Sequence, residues 1–564
     1  GLGESHAGIM VLSPDAKIGS PAAEYFNISS DYVFEIGLTP NRGDAASHYG
    51  VAIDLAAVLN CRANEIRYEA ETKGIKELPE SSGILNISVD VQDTDLCPRY
   101  SGITISGITV TESPDWLKNV LKSIGVRPIN NIVDITNFVL HELGQPLHAF
   151  DAFKIKGNKV VVRKAKENES FVTLEGTERK LKSDDLMICN ESEPMCIAGV
   201  FGGLESGVTE ATTSVFLESA YFNPASIRKS SKNHGLKTDA SFRFERGTDP
   251  EITVTALNRA ANLILEIAGG QISGNLIDIY PTPVEPKKIA FTYPNAARLI
   301  GKTIDASIIK IILQSLHIKI EHEGNDALLL NVPARKSDVT READVIEEIM
   351  RVYGYNNIEV PEKTKFSVSY RQEKDIYKTE EIIADFLSAN GFTEIMSTSL
   401  TKEAYYSEEE RKNMVSMLNP LSSDLALMRS NLLYSGLEAI AYNVNRKNAD
   451  LKLYEIGRVY HKKEDANFKY AEQKQIMLFV TGRRFAENHA GQNNKSDYYT
   501  LKSFVEAILT RFSITNYTIE ETSSSEYDYV IEYKSGKKLY ASIAKVNKAT
   551  AKKCDVNQEV FVAT

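Results

Sequence analysis

Between Arg127 and Phe150 the chain reads RPINNIVDITNFVLHELGQPLHAF, with Arg127, Asn131, Asp134, Asn137 and His148 scattered through an otherwise apolar run. That pattern is neither a clean helical stripe nor a clean strand alternation. Polar groups held among Ile, Val and Phe must find internal partners or carry a function. Further along, VFLESAYFNPASIRKSSKNHGLKTDASFRFERGTD offers the complement: Glu218 in a strand-like run, then the hydroxyl of Thr238, the small Ala240, and Arg243 and Arg246 around Glu245. Folded against each other, the two stretches make a polar pocket in an apolar wall, sized for an amino acid. The alternative is a buried hydrogen-bond network that only fixes the fold. In MCIAGVFGGLESGV, Gly202 and Gly203 let the backbone approach whatever fills the pocket, or simply make a tight turn.

A second set of candidates is acidic. Asp338, Asp344, Glu347 and Glu348 crowd the entry to a helix in PARKSDVTREADVIEEIMRVYGY. Three of them share neighbouring positions on one helical surface and Asp338 can fold back from the loop, giving the hard oxygen ligands that Mg²⁺ prefers. The same residues also suit an acidic first turn favoured by the helix dipole, with ion pairs to Arg335 and Arg341.

The elements that must hold these groups are legible in outline. In LTPNRGDAASHYGVAIDLAAVLN the turn at Pro40–Asp44 places Asp44 as a helix cap, with Val51, Leu55, Ala56 and Leu59 on one face of the helix that follows. SPDWLKNVLKSIG reads as a capped helix burying Trp116, Leu117, Val120, Leu121 and Ile124. KVVVRKAKENESFVTLEGTERKL reads as two strands around a turn at Glu167 and Asn168. ITVTALNRAANLILEIAGG is an amphipathic helix stopped by Gly269 and Gly270. The prolines of YPTPVEPKK mark a linker. Beyond it come helix, strand, strand and helix, and then a longer region with the helix of RSNLLYSGLEAIAYNVNR, the strand LKLYEIGRVY, the helix of KSDYYTLKSFVEAILTRF and a strand pair turning at Ser535 and Gly536. Interleaved helices and strands imply an α+β protein built largely on antiparallel sheet.

A chain of 564 residues implies several domains rather than one core. Its net charge of -11 gives no global attraction to nucleic acid, so RNA contacts must rest on local basic patches or on a partner. Cys61, Cys97, Cys189, Cys196 and Cys554 are scattered without a CxxC pair, which suits a reducing cytosol and suggests no zinc site. No apolar run is long enough for a membrane span, and the start at Gly1 reads as the inside of a longer protein.

RPINNIVDITNFVLHELGQPLHAFD, FGGLESGV, LESAYFNP and HGLKTDASFRFERGTDP resemble the editing domain of the bacterial phenylalanyl-tRNA synthetase beta-subunit family. PARKSDVTREADVIEEIMRVYGYNNI and LNPLSSDLALMRSNLLYSGLEAIAYNVNR resemble later domains of the same subunit, in the same order. The resemblance implies a multidomain α+β chain. Residues 1–85 would be the remainder of an N-terminal core domain, 86–281 an editing domain of B3/B4 type with antiparallel sheet, 289–361 a small helical or winged B5-type domain, and 370–564 a truncated class II synthetase-like antiparallel domain without catalytic residues. The N-terminal OB-fold tRNA-binding module and the C-terminal anticodon-binding module of the family would lie outside these residues. Carried over position by position, the editing pocket falls on Arg127, His148, Gly202, Glu218, Thr238 and Ala240, and an Mg²⁺ site at the interface with the alpha subunit on Asp338, Asp344, Glu347 and Glu348.

The implied activity is hydrolysis of mischarged Tyr-tRNA(Phe) in a cytoplasmic α2β2 phenylalanine-tRNA ligase, whose alpha subunit uses ATP to make Phe-tRNA(Phe). A pocket selecting phenylalanine cannot fully reject an analogue that differs by one hydroxyl, so a second site that admits the phenol is the expected remedy. Glu218 would accept the phenol, Thr238 and Ala240 would shape the place of the ester or terminal adenosine, and His148 and Arg127 would orient phosphate, ribose or water. His148 also has the pKa range of a general base, although a positioned water needs none. Family members often carry His where Phe242 stands, which leaves the water-positioning group open. Arg429 and Arg458 read as helix-start and surface or interface charges rather than as ATP clamps, and apolar surface for the alpha subunit is expected at 370–480. The competing expectation is a non-catalytic tRNA-binding and alpha-subunit scaffold.

Overall fold

The computed structural model describes residues 11–26, 31–72, 75–363, 366–368, 375–463, 468–485, 489 and 494–564. The chain forms two compact units, Gly1–Thr364 and Lys365–Thr564.

In the first unit a sheet of Gln271–Ile272, Arg99–Ser106, Ser214–Tyr221 and Leu147–Asp151 separates two apolar cores. Ile277–Ile279 also pairs with Arg99–Ser106. Strand alternation sends successive side chains to opposite faces. Ile103, Ile105, Val215, Leu217 and Ala149 pack on one face, in a core shared with the helices Asp115–Ser123, Asn131–Leu143 and Thr253–Ile267. Tyr100, Phe150, Phe216 and Ala220 pack on the other. That second core is closed by a further sheet, Ser88–Val91, Lys159–Lys164, Leu186–Cys189, Pro194–Ile197 and Phe201–Gly202, and by the helices Pro224–His234 and Asp239–Phe244. Its edge pair Ser88–Val91 and Lys159–Lys164 is parallel, a departure from the antiparallel expectation.

A three-stranded antiparallel sheet in the order Lys287–Thr292, Ala327–Val332 and Lys319–Glu323 carries the helices Tyr293–Ile300, Ala306–Ser315 and Glu342–Tyr353. Helix His48–Ala63 adds Ile53 and Ala57 to the same core. Helix His48–Ala63 and the segment 289–361 therefore share a core. The cap of that helix is Ser47, which accepts from Gly50 N, and not Asp44. Its buried face is Ile53, Ala56, Ala57 and Asn60, whereas Leu55 is exposed. Likewise only Leu117 and Leu121 of the Asp115–Ser123 helix are buried, while Trp116 lies at the surface edge-on to Phe138. In His48–Ala63 the buried stripe is rotated from the predicted one towards the small residues Gly50, Ala56 and Ala57, and in Asp115–Ser123 it is narrower than predicted.

The second unit is a seven-stranded sheet, in the order Thr393–Glu394, Leu451–Lys462, Tyr470–Thr481, Val560–Ala563, Lys538–Val546, Tyr527–Ser535 and Thr518–Thr522. All its pairs are antiparallel except the first. Helices Ile376–Ala389 and Tyr498–Arg511 share one core with it, and Leu433–Val444 and Lys548–Lys553 the other. The helix Leu433–Val444 can approach so closely because Gly436 sits on the Phe479 ring: an added Cβ would stand 2.0 Å from Cζ. None of the helices among the described residues is long and apolar enough to cross a membrane.

Candidate functional site

Strand register builds the pocket. Glu218 lies opposite His148 on one neighbouring strand and opposite Gly102 on the other. By alternation all three face the core that holds Tyr100, Phe150 and Phe216. Gly102 is required there, since a Cβ would stand 2.4 Å from the Phe216 ring. Glu218 is buried, and its Oε2 accepts a hydrogen bond of 3.0 Å from the Tyr100 hydroxyl.

Gly202 ends the neighbouring sheet against the imidazole: a Cβ there would come within 3.0 Å of His148 Cε1 and 3.4 Å of Nε2. Thr238 caps the short helix Asp239–Phe244. Its hydroxyl accepts from Ser241 N and donates to Val200 O at 3.0 Å, latching the helix to the strand end that carries Gly202. Ala240, in the first turn of that helix, packs on the same core as Tyr100 and Phe150. His148, Gly202, Glu218, Thr238 and Ala240 thus share one neighbourhood.

The electrostatics of this neighbourhood are those of a buried site shielded from water. Burial pushes the Glu218 carboxyl up to about 8, against the opposing hydrogen bond from Tyr100. Burial also pushes His148 down to about 4, so its imidazole is neutral at pH 7. The His148 Nε2 is buried without a hydrogen-bond partner. A neutral imidazole of such low basicity makes a poor general base but a good hydrogen-bonding and orienting group. The pocket can read a ligand hydroxyl and fix an ester or a water. With its carboxyl raised to about 8, Glu218 is itself mostly protonated at neutral pH, so neither it nor His148 stands ready to take a proton there.

Arg127 lies outside the elements that carry the other five. It is exposed, and its neighbours Ile124 and Val126 pack on the core across the sheet from Glu218. The helix Asn131–Leu143, which at about 1.5 Å per residue is about 20 Å long, separates it in the chain from the strand bearing His148. The polar residues of that helix are structural. Asp134 accepts from Ser113 Oγ at 2.5 Å and from Ile129 N at 2.8 Å, and Asn131 donates to Thr109 O at 3.0 Å. Arg243 is buried and donates to Ala46 O and Asp239 O, while Arg246 pairs with Glu245 and stacks 3.7 Å over Phe242. Tyr100 and Gly102 were invisible as site residues in RYSGITIS. Alternation alone would have placed them opposite a strand containing Glu218, had the pairing been known.

The acidic set behaves differently. Asp338, Asp344, Glu347 and Glu348 line one cleft of about 660 Å³, together with Arg42, Asp54 and Arg351. Glu348 is buried and accepts from Lys336 Nζ at 2.5 Å and from Arg351. Lys336, itself 2% exposed, also binds Asp44 at 3.0 Å. Burial would raise Asp44, but Lys336 and Arg42 outweigh it and hold the carboxyl down to about 2. Asp344 folds back onto Thr340 N and Arg341 N, and Asp338 accepts from Asn41. Among the described residues no group of three or more His, Cys, Asp and Glu is placed to hold a metal ion. Within this chain Asn41, backbone donors and cations take up oxygens of Asp338, Asp344 and Glu348, while the four expected carboxylates stand together as lining of one cleft. Of the two arginines expected as partners, Arg341 pairs with Asp344 and Arg335 donates to Leu316 O; the partners of Glu348 are Lys336 and Arg351.

In the second unit Arg429 is buried and bonded at 2.6 Å to the equally buried Glu455, and its Nε donates to Arg458 O at 3.0 Å. It is an internal tie and not the surface or helix-start charge expected. Arg458 pairs with Glu472 near the surface, as expected.

Comparison with known proteins places three families along the chain. Residues 96–269 match the B3/4 domain, 289–355 the tRNA synthetase B5 domain and 361–564 the phenylalanyl tRNA synthetase beta chain CLM domain. The whole chain is 47% identical to a phenylalanine--tRNA ligase beta subunit of Bacteroides fragilis strain YCH46, of which it spans 70%. It is 45% identical to that of Porphyromonas gingivalis strain W83, again spanning 70%. A solved N-terminal fragment of the phenylalanyl-tRNA synthetase beta subunit from Pyrococcus horikoshii is similar at 18% identity and a TM-score of 0.29, over 56% of this chain and 85% of that one. A likeness that distant adds nothing to the fold described above.

Proposed function

Because the chain belongs to the phenylalanine--tRNA ligase beta-subunit family, we propose that its pocket at His148, Gly202, Glu218, Thr238 and Ala240 hydrolyses the ester of mischarged Tyr-tRNA(Phe). The observation that supports this reading best is the register that sets a buried carboxyl beside an imidazole with an unpartnered nitrogen. A tyrosyl phenol gives Glu218 a partner in a buried site. A phenylalanyl ring would leave the carboxyl without it, at a cost of about 1–3 kcal/mol for a buried polar group. His148, neutral and orienting, would hold the ester or the attacking water, and Thr238 would act through the backbone it latches. Arg127, in this reading, serves the outer surface and not the pocket.

The segments 86–281, 289–361 and 370–564 would then be the editing, B5-type and class II-like domains, with 1–85 completing the core of the second. Amino-acid activation, with its ATP and Mg²⁺, would belong to the alpha subunit of a cytoplasmic α2β2 enzyme, and tRNA(Phe) would be the shared substrate. Arg429 supports a non-catalytic role for 370–564, since it is consumed by Glu455 and cannot clamp ATP. Met396, Leu418 and Leu421 are almost fully exposed there and suit docking of an alpha subunit. The test is to supply Tyr-tRNA(Phe) to the chain assembled with an alpha subunit. Ester hydrolysis that disappears in Ala240→Trp, while phenylalanine activation continues, is the expected result. Hydrolysis undiminished by that filled cavity would refute the assignment and leave a scaffold.

A further inference from the structure

The Glu218 carboxyl already has a phenol. Tyr100 is wholly buried, sits on the adjacent strand two residues before Gly102, and donates to Oε2 at 3.0 Å. This contact is chemically the same as the one a tyrosyl ligand would make. Glu218 is only 5% exposed. One of its two oxygens is held from inside the core, and one is left for whatever enters the pocket.

We propose that Tyr100 is the specificity-determining positioning residue of the pocket: its hydroxyl pins Oε2 so that the second carboxyl oxygen meets the phenol of a tyrosyl ligand. The inference rests on the editing function proposed above and adds to it a residue outside that set. Two phenols on one carboxyl form a clamp in which the inner member is built in and the outer one is the signal. A phenylalanyl ligand leaves the clamp half closed.

The groups around the carboxyl are Tyr100, His148 opposite in the register, and the buried thiols of Cys97 and Cys196, both of which burial and then Glu218 push upward. None of them carries a charge at neutral pH, so the Tyr100 hydroxyl is the group that stabilises the ionised carboxyl. Removing it leaves burial unopposed, and Glu218 should then titrate at a higher pH.

The experiment compares hydrolysis of Tyr-tRNA(Phe) and Phe-tRNA(Phe) from pH 6 to 9 by the chain in complex with an alpha subunit, as wild type, Tyr100→Phe and Glu218→Gln. In Tyr100→Phe, kcat/KM for the tyrosyl ester should fall about tenfold, the order expected for one hydrogen bond to a charged group, with the phenylalanyl ester little changed. The Glu218 limb of the pH profile should move to higher pH, and Glu218→Gln should lack that limb. If Tyr100→Phe does not fold, 2,3-difluorotyrosine at position 100, a stronger donor of nearly equal size, should move the limb to lower pH. A preserved ester ratio with an unmoved limb in either variant would make Tyr100 a packing residue and overturn the inference, although wild-type hydrolysis would still stand. No hydrolysis by the wild type would refute the editing reading itself, and the clamp with it.

Discussion

Two regions of the first unit carry buried carboxylates, and they differ in who answers them. In the cleft at Asp338–Glu348, Lys336 bridges Asp44 and Glu348 while Arg351 bridges Glu348 and Asp54. In the pocket at Glu218 the nearest answers are a phenol and a neutral imidazole. A carboxylate that meets cations inside its own chain is held ionised and becomes part of the scaffold. One that meets only neutral groups is kept near its titration point, and a hydroxyl from outside can complete it. Sequence shows both as acidic residues among apolar ones. Only the position of the cations separates them.

The largest effect that would break this comparison is on Lys336. Lys336→Met should destabilise the first unit by about 3–5 kcal/mol, because two buried carboxylates lose their shared cation. Glu218→Gln should leave the stability at neutral pH unchanged or raised. Denaturant unfolding of both variants checks the pair, and equal small losses would mean that the cleft is no more structural than the pocket.

Opposite pH signatures sharpen it. Asp44 has a folded pKa of about 2, below its ordinary value, so its contribution is present at neutral pH and is lost as pH falls from about 4 towards 2, on the order of 2 kcal/mol. Glu218 has a folded pKa raised to about 8, so the native state binds the extra proton and stability falls as pH rises from about 4.5 to 8. Thermal melts across pH should show that alkaline slope reduced in Glu218→Gln, and the acid limb reduced in Asp44→Asn at the expense of lower stability throughout. The smallest effect belongs to Arg127. Arg127→Ala should change stability by less than about 0.5 kcal/mol and should leave the Tyr-to-Phe ester ratio intact, which the same hydrolysis assay would show.

Much of this is legible in the amino-acid sequence. The strand around Glu218, the helix ending at Gly269, the proline linker and the strand-helix succession of the second unit all follow from local periodicity and turn chemistry, and the structure has them. What periodicity could not supply was pairing. His148 and Glu218 face each other because Leu147–Asp151 and Ser214–Tyr221 are antiparallel in one particular register, and no local signal sets that. For the same reason Arg127, in the same polar-in-apolar run as His148, falls in an exposed position whose neighbours Ile124 and Val126 pack on the core across the sheet. Asp44 was misread as a cap because Ser47, three residues on, does that work, and the carboxylate is free to reach Lys336 far along the chain. The four acidic residues of the cleft were correctly gathered by helical spacing. Of their cations Arg341 was legible by its i,i+3 spacing to Asp344, but Lys336 was not, since it looked no different from the arginines beside it.

The central claim, that Glu218 reads the ligand's hydroxyl, is tested most directly by the ratio of hydrolysis rates on Tyr-tRNA(Phe) and Phe-tRNA(Phe) for Glu218→Ala against wild type, in complex with an alpha subunit. The account predicts a ratio lowered by about tenfold or more, the weight of one buried hydrogen bond, in a variant that still unfolds cooperatively and supports phenylalanine activation close to wild type. An unchanged ratio in a normally folded variant would contradict it and make Glu218 another structural partner, like Glu348.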